Sequence, residues 1–287
     1  MTMKVLISFV IFFITLMIGL NFMRGYDELR SYLIWNKLER IPASEAEQFS
    51  PKMIENLPEP ARRYFEYTIM PGTPLKRVSE IKTNGRLGLG PKDAPDYMTM
   101  NATQVMAFPE GFIWSIKTGR GPMVVTGSDG FYQDKSWSRF WLMHSIPLGR
   151  AGGRSPHRED HRRAAFGRLV AEAVFWSPAS LLPSETISWE AVDDNTARAT
   201  VQYDDLVQTV DVFVDEQGQP THVIIARWSD ANPDNTYQLQ PFGGYLSVFK
   251  EFEGYRLPTH VEGGNFIGTD RYFPFYIADV EEISFSD

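Results

Sequence analysis

The sequence predicts an α+β protein in which an N-terminal transmembrane helix is followed by a curved antiparallel β-sheet packed on one main amphipathic helix. Three observations predict it. The run from Val5 to Met23 contains no charged residue. From about residue 75, short stretches rich in β-branched and aromatic residues alternate with turn residues. Only His161 to Trp176 repeats apolar residues at helical spacing instead.

As a helix, Val5–Met23 would extend roughly 28 Å, at about 1.5 Å per residue, close to the ~30 Å thickness of a bilayer core. Its many Leu, Ile, Phe and Val residues each favour insertion by a few tenths of a kcal/mol, which outweighs Ser8, Thr15 and Asn21. A removable signal peptide would have a shorter apolar stretch and a small-x-small cleavage site, whereas this run leaves through Asn21, Phe22, Met23 and Arg24. The expectation is an uncleaved, single-pass anchor over residues 1–25. Beyond it, Tyr26 to Arg40 has no Gly or Pro and reads as an interfacial helix, with Tyr26, Tyr32 and Trp35 suited to the headgroup level. Arg24, Arg30, Lys37 and Arg40 follow the run against Lys4 before it, which by literal charge count would hold the domain inside. Asp27, Glu28 and Glu39 accompany those cations, and long domains translocate largely regardless of charge, so the soluble part is expected on the outer face, periplasmic or extracellular. Residues 41–60 contain four prolines. The segment 26–60 therefore reads as juxtamembrane helix plus linker, and 61–287 as a soluble β-rich domain opening with a short helix, Ala61 to Tyr67.

Composition narrows the function. A formal net charge of -8 supplies no basic field for phosphate backbones, so no nucleic-acid partner is expected. With no cysteine, the chain has no disulfide, no thiolate metal site and no cysteine nucleophile. The aromatic share of 14% is high and suits sheets and ligand cavities alike.

The strand pattern is punctuated by Asn84-Gly85, Pro109-Glu110-Gly111, Asp129-Gly130, Asp193-Asp194-Asn195, Glu216-Gln217-Gly218 and Glu253-Gly254. The runs ISWEAV, TARATVQY, VQTVDVFV and QPTHVIIARW, from Ile187 to Trp228, form a β-meander. In the second run Ala197, Ala199 and Val201 alternate with Arg198, Thr200 and Gln202, one face buried and one wet. Further strands are expected in YLSVFKEFEGYRLPTHVEGG and RYFPFYIADVEEISF, with Pro258 and Pro274 at sheet edges or bends. In HRRAAFGRLVAEAVFW, Phe166, Leu169, Val170, Ala173 and Val174 define the apolar face of the helix, and Pro178 ends it.

The segment from Arg168 to Pro183 and the strand pair after it resemble a family of uncharacterised bacterial membrane-anchored proteins of unknown function. Leu169, Glu172, Trp176, Pro178, Leu181, Leu182, Trp189 and the run Ala197 to Thr200 carry the resemblance, although Trp176 stands four positions after Glu172 where the family pattern has three. The segments PEPARRYFEY, EGYRLPTHVEGG and YFPFYIADV are also similar, so the resemblance runs from about residue 57 to the C-terminus. It implies no reaction or catalytic residue. At the level of fold alone, the architecture resembles the half-barrels of LolA-like lipoprotein carriers.

Individual motifs are modest. His157 and His161 have the i, i+4 spacing of helix metal ligands, but Arg158 between them and the nearby Arg154, Arg162 and Arg163 repel a cation, so this reads as a solvated helix start. Gly127-Ser128-Asp129-Gly130 reads as a hairpin turn rather than a nucleophile elbow. Gly85, Gly88 and Gly90 read as strand bends rather than a dinucleotide fingerprint. Glu172 lies within the apolar helix and needs a partner, for which Arg168 one turn earlier is placed. Aromatic residues cluster in mid-chain and suit a cavity wall or an ordinary core. The expected ligand contacts are Glu172, Arg168 and Trp176 with Trp114, Phe131 and Trp137. These readings predict a membrane-anchored, non-enzymatic envelope protein holding a lipid or other apolar molecule in the concave face, with no catalytic residue, metal or cofactor assigned. The alternatives are a hydrolase pairing Glu172 with His222 or His260, and an interaction scaffold with a filled sheet interior.

Overall fold

Among the residues that the computed structural model describes (3–42, 47–153 and 155–286), thirteen antiparallel strands form one open sheet. The first meander comprises β1 (Val78–Gly88), β2 (Tyr97–Ala107), β3 (Gly111–Thr118), β4 (Val125–Tyr132), β5 (Lys135–Leu142) and β6 (Ile146–Gly152). The second comprises β7 (Ile187–Asp193), β8 (Thr196–Tyr203), β9 (Leu206–Val214), β10 (Pro220–Ser229), β11 (Gln238–Phe252), β12 (Tyr255–Asn265) and β13 (Tyr276–Phe285). The two meanders join where β1 pairs with β13, which leaves β6 and β7 as the outer edges.

The helix α3 (Arg158–Trp176) connects those edges and packs on strands of both meanders, β3 to β6 on one side and β9, β10 and β12 on the other. Thirteen strands at about 4.8 Å spacing would span roughly 60 Å if flat, twice the length of such a helix. The sheet is therefore curved around it. Alternation supplies the inner face: in β9, Leu206, Gln208, Val210, Val212 and Val214 are buried while the residues between them face outward. Phe166, Leu169, Val170 and Val174 of α3 pack on this face, each burial contributing on the order of 1.5–3 kcal/mol. Gly167 brings the helix close, since a Cβ there would stand 2.9 Å from the Gln208 side chain. Proline at position 178 follows directly, in a 3-10 turn Pro178–Leu181.

At the N-terminus, α1 runs unbroken from Met3 to Glu39. It is long and apolar enough to cross a membrane, with a mean hydropathy of 2.5 over its most apolar window, a property that a signal sequence shares. Its second half lies on the outer face of β2, β3 and β4. Asp27, 4% exposed, accepts hydrogen bonds from Arg150 and pairs with Arg139 at 3.6 Å. Leu38 joins Val78, Val105, Ala107, Ile113 and Trp137 in a small cluster, against which Ile34 and Trp35 also pack. This corrects the reading of Trp35 as a headgroup residue: it packs on the protein, while Tyr26 and Tyr32 remain exposed. At the other end of this contact, Arg24 donates to the carbonyl of His144, at the tip of the β5–β6 hairpin. The apolar half of α1 thus projects past the end of the sheet that carries the exposed side chains of Leu89, Met123, Met143 and Ile146.

The proline-rich stretch is not a free linker, because Phe49 and Ile54 are buried in the main core and Gln48 bridges to Pro74. A short helix, α2 (Glu59–Thr68), follows. Two expected turns prove to be strand interior. Asn84-Gly85 lies within β1, where a Cβ on Gly85 would meet the Ile277 carbonyl at 2.0 Å. Asp129-Gly130 lies within β4, where a Cβ on Gly130 would meet the Trp137 ring at 2.5 Å. In both places glycine serves close approach rather than a reversal. Pro258 likewise sits inside β12, beside an irregularity at Val248, and not at the sheet edge.

Candidate functional site

Between α3 and the sheet lies a cavity of about 230 Å³. One register row explains it: Leu87, Tyr276, Gly263, Gly244 and Val223 are successive partners across β1, β13, β12, β11 and β10. Tyr276 and Val223 fill their places under the helix, whereas the two glycines between them contribute no side chain. Their neighbours Gly243 and Gly264, also register partners, are glycine for steric reasons, since a Cβ would stand 1.8 Å and 2.3 Å from backbone oxygens. Gly263 has no such constraint, because the nearest atom to an added Cβ is the Tyr276 ring at 3.7 Å. What its missing side chain provides is space. The surrounding wall is aromatic, formed by Trp114, Phe175, Trp176, Phe242 and Phe275, with Trp114 edge-on to Tyr276 at 6.1 Å between ring centroids.

A polar seam closes one side. Arg168 donates through Nε to Glu172 Oε1 at 2.6 Å and through Nη1 to Asp129 Oδ2 at 2.8 Å. Gln104 Nε2 donates to Glu172 Oε2 at 2.6 Å, and Ser138 donates to Asp129 Oδ1 at 2.7 Å. All four carboxylate oxygens are thereby satisfied, as burial requires. Burial lowers the Arg168 pKa, but the adjacent Glu172 and Asp129 carboxylates outweigh it and hold the guanidinium charged. The same guanidinium lies over the Phe112 and Trp114 rings, at 4.8 and 5.1 Å. Tyr276 is pushed up to about 12 by burial and by the nearby Glu172 charge, so its hydroxyl stays protonated.

The seam continues to His161. Ser138 commits its one proton to Asp129, so it accepts from His161 Nε2 at 3.0 Å, leaving Nδ1 to accept from Ser136 at 2.7 Å. Burial lowers the His161 pKa, which keeps this ring neutral. The helix start is consequently not solvated at His161, although His157 is exposed. No cluster of metal-ligating side chains occurs among the described residues; Arg154, one of the cations weighed against a metal there, lies outside them.

Of the six residues singled out in the sequence, Glu172, Arg168, Trp176 and Trp114 line the cavity. Phe131 instead packs with Phe166 and Tyr203 in the core. Trp137 faces the opposite side of the sheet, where its Nε1 donates to Ser128 Oγ beneath α1. Strand alternation dictates this, since Ser136 and Ser138 take the inward positions of β5. The carboxylate–histidine dyad is not assembled: both Glu172 oxygens are occupied, His222 stacks on Phe213 at 4.0 Å, and His260 pairs with Asp279 and Glu262. Gln104, Asp129, Arg227, Tyr276 and the glycines were not anticipated from sequence. The GG pairs in PFGGY and HVEGGN were the available signal. A larger hollow, about 510 Å³, lies on the outer face between α1 and β2 to β5, but it is an open cleft along a helix contact.

A family model described as a family of unknown function (DUF6544) matches residues 47–276. The chain belongs to this family. The DUF6544 match takes in α3 and every residue named at the cavity, from Leu87 to Tyr276, and leaves α1 outside. A comparison with curated proteins finds no match. The family match does not confirm the likeness to LolA-like lipoprotein carriers.

Proposed function

We propose that this protein is a membrane-anchored, non-enzymatic binding protein that holds a small apolar molecule between α3 and the curved sheet. The observation that carries this reading is Gly263, which has room for a side chain and has none. Protein interiors are close-packed, and a void of this size forfeits contacts on every side unless something fills it. At about 230 Å³ the space exceeds the roughly 150 Å³ that accepts benzene and falls below the ~300–1,000 Å³ of drug-sized sites. That suits one short chain or ring, or part of a larger lipid. The position of the sheet end bearing Leu89, Met123, Met143 and Ile146, beside the exit of the apolar half of α1, supports an arrangement with that end against the bilayer. Leu87 and Tyr276, near that end of their strands, bring the cavity toward it, with the domain on the outer face.

The test is photo-labelling of cells making the full chain with a diazirine-bearing lipid, followed by peptide mapping. Label is expected on the peptides containing Trp114, Trp176 and Phe242, and is expected to disappear in Gly263→Leu. Label confined to residues 3–23 would contradict the reading.

A further inference from the structure

One charged group at the cavity has no counterpart. Arg227 on β10 lines it, with its guanidinium 4.5 Å above the Phe242 ring. Its Nε donates to the Ala164 carbonyl at 3.2 Å, which fixes the stem against α3. The terminal amines have neither a hydrogen bond nor a carboxylate within ion-pair distance among the described residues. Three acids act on the guanidinium from a distance: Glu172 is taken by Arg168 and Gln104, Asp129 by Arg168 and Ser138, and Asp230 is exposed just beyond β10. Burial lowers the Arg227 pKa and the second cation, Arg168, lowers it further, which the more distant Asp129, Glu172 and Asp230 offset only in part. Leaving a half-buried arginine fork without an acceptor is costly, and a guanidinium presents parallel N–H groups in a geometry matched to a carboxylate.

We infer that the cavity binds an apolar molecule bearing a carboxylate, with the terminal amines of Arg227 receiving the acid group and the aromatic wall receiving the hydrocarbon. This rests on the reading of the cavity as a ligand site. The glycine block sets the size: a short acyl chain or a single ring fits beside Tyr276 and Gly263, with the carboxylate directed toward β10. Arg168 neutralises Glu172 and Asp129, so neither draws in a cationic head, and against a neutral head the selecting element is Arg227.

The experiment is calorimetric titration of the full chain in nanodiscs with octanoate and with 1-octanol, using empty nanodiscs as the blank. A charge-assisted pair predicts roughly tenfold or greater preference for the acid. That preference is expected to collapse toward unity in Arg227→Met and to survive in Arg227→Lys, which keeps the charge. If the unaltered protein binds acid and alcohol equally, the carboxylate inference is overturned while the cavity reading stands. If it binds neither, both are overturned. Survival of the acid preference in Arg227→Met would overturn the assignment of the carboxylate to Arg227.

Discussion

Gly244 on β11 is the register partner of Gly263 on β12, and together they leave the inner face of the sheet bare at the point where Tyr276 and Val223 flank it. The pair links a local sequence choice to the cavity beneath α3. Two consequences follow for a substitution at Gly263: the backbone tolerates it, and the space is lost.

Gly263→Leu is expected to leave the melting temperature of the detergent-solubilised full chain unchanged or higher, since strand glycine is unfavourable by up to about 1 kcal/mol and the new side chain fills a void. Differential scanning calorimetry checks this. A large drop in melting temperature would show that the glycine meets a backbone requirement.

Arg168 holds two carboxylates, and each carboxylate has a second donor, so the two ends of the seam are not equivalent. Arg168→Met strands Glu172 and Asp129 without their cation and is expected to cost about 3–5 kcal/mol. Glu172→Gln leaves Arg168 paired with Asp129 and is expected to cost about 1–2 kcal/mol. Chemical unfolding followed by near-UV circular dichroism gives the order, and the reverse order would refute the seam as drawn.

Two histidines respond to pH with opposite sign. The His161 pKa is lowered by burial, so its contribution is fully present above the unfolded value of about 6.5 and is lost as pH falls through the folded value. The His260 pKa is raised, chiefly by its bond to Asp279, so its contribution is full below about 6.5 and is lost as pH rises through the folded value. Relative to the unaltered chain, His161→Gln is therefore expected to gain in relative stability as the solution is acidified from pH 7 to 5, and His260→Gln to lose. Melting temperatures at several pH values check both, and parallel shifts in the two variants would contradict the assignment.

Asp27, itself buried, fastens α1 to the sheet by meeting the buried Arg139 and the exposed Arg150. Asp27→Asn leaves two arginines facing each other and is expected to weaken the contact by roughly 2–4 kcal/mol. Spin labels on Asn36 and Lys117 would report a broadened distance distribution in the variant. An unchanged distribution would mean that Leu38 and its cluster suffice.

Much of the fold was legible in the sequence because it rests on local signals. The apolar run, the period-two strands of the second meander and the helix ended by Pro178 each declare themselves within about fifteen residues. The dipeptides Asn84-Gly85 and Asp129-Gly130 misled because glycine has two uses, reversal and close approach, and only the partner strand reveals which applies. The Arg168–Glu172 pair was legible from i, i+4 spacing. Its extension to Asp129, Gln104 and Ser138 was not, because those residues arrive from β2, β4 and β5 by sheet curvature. Trp137 and Phe131 were assigned to the cavity on composition, and strand parity sent the first to the other face.

An apolar molecule held in the space beneath α3 would leave the membrane together with the protein. Native mass spectrometry of the full chain, released from membranes in mild detergent, tests it most directly. A small apolar adduct is expected on the unaltered protein and is expected to be absent from Gly263→Leu. An adduct-free spectrum for the unaltered protein, or the same adduct on both, would contradict it.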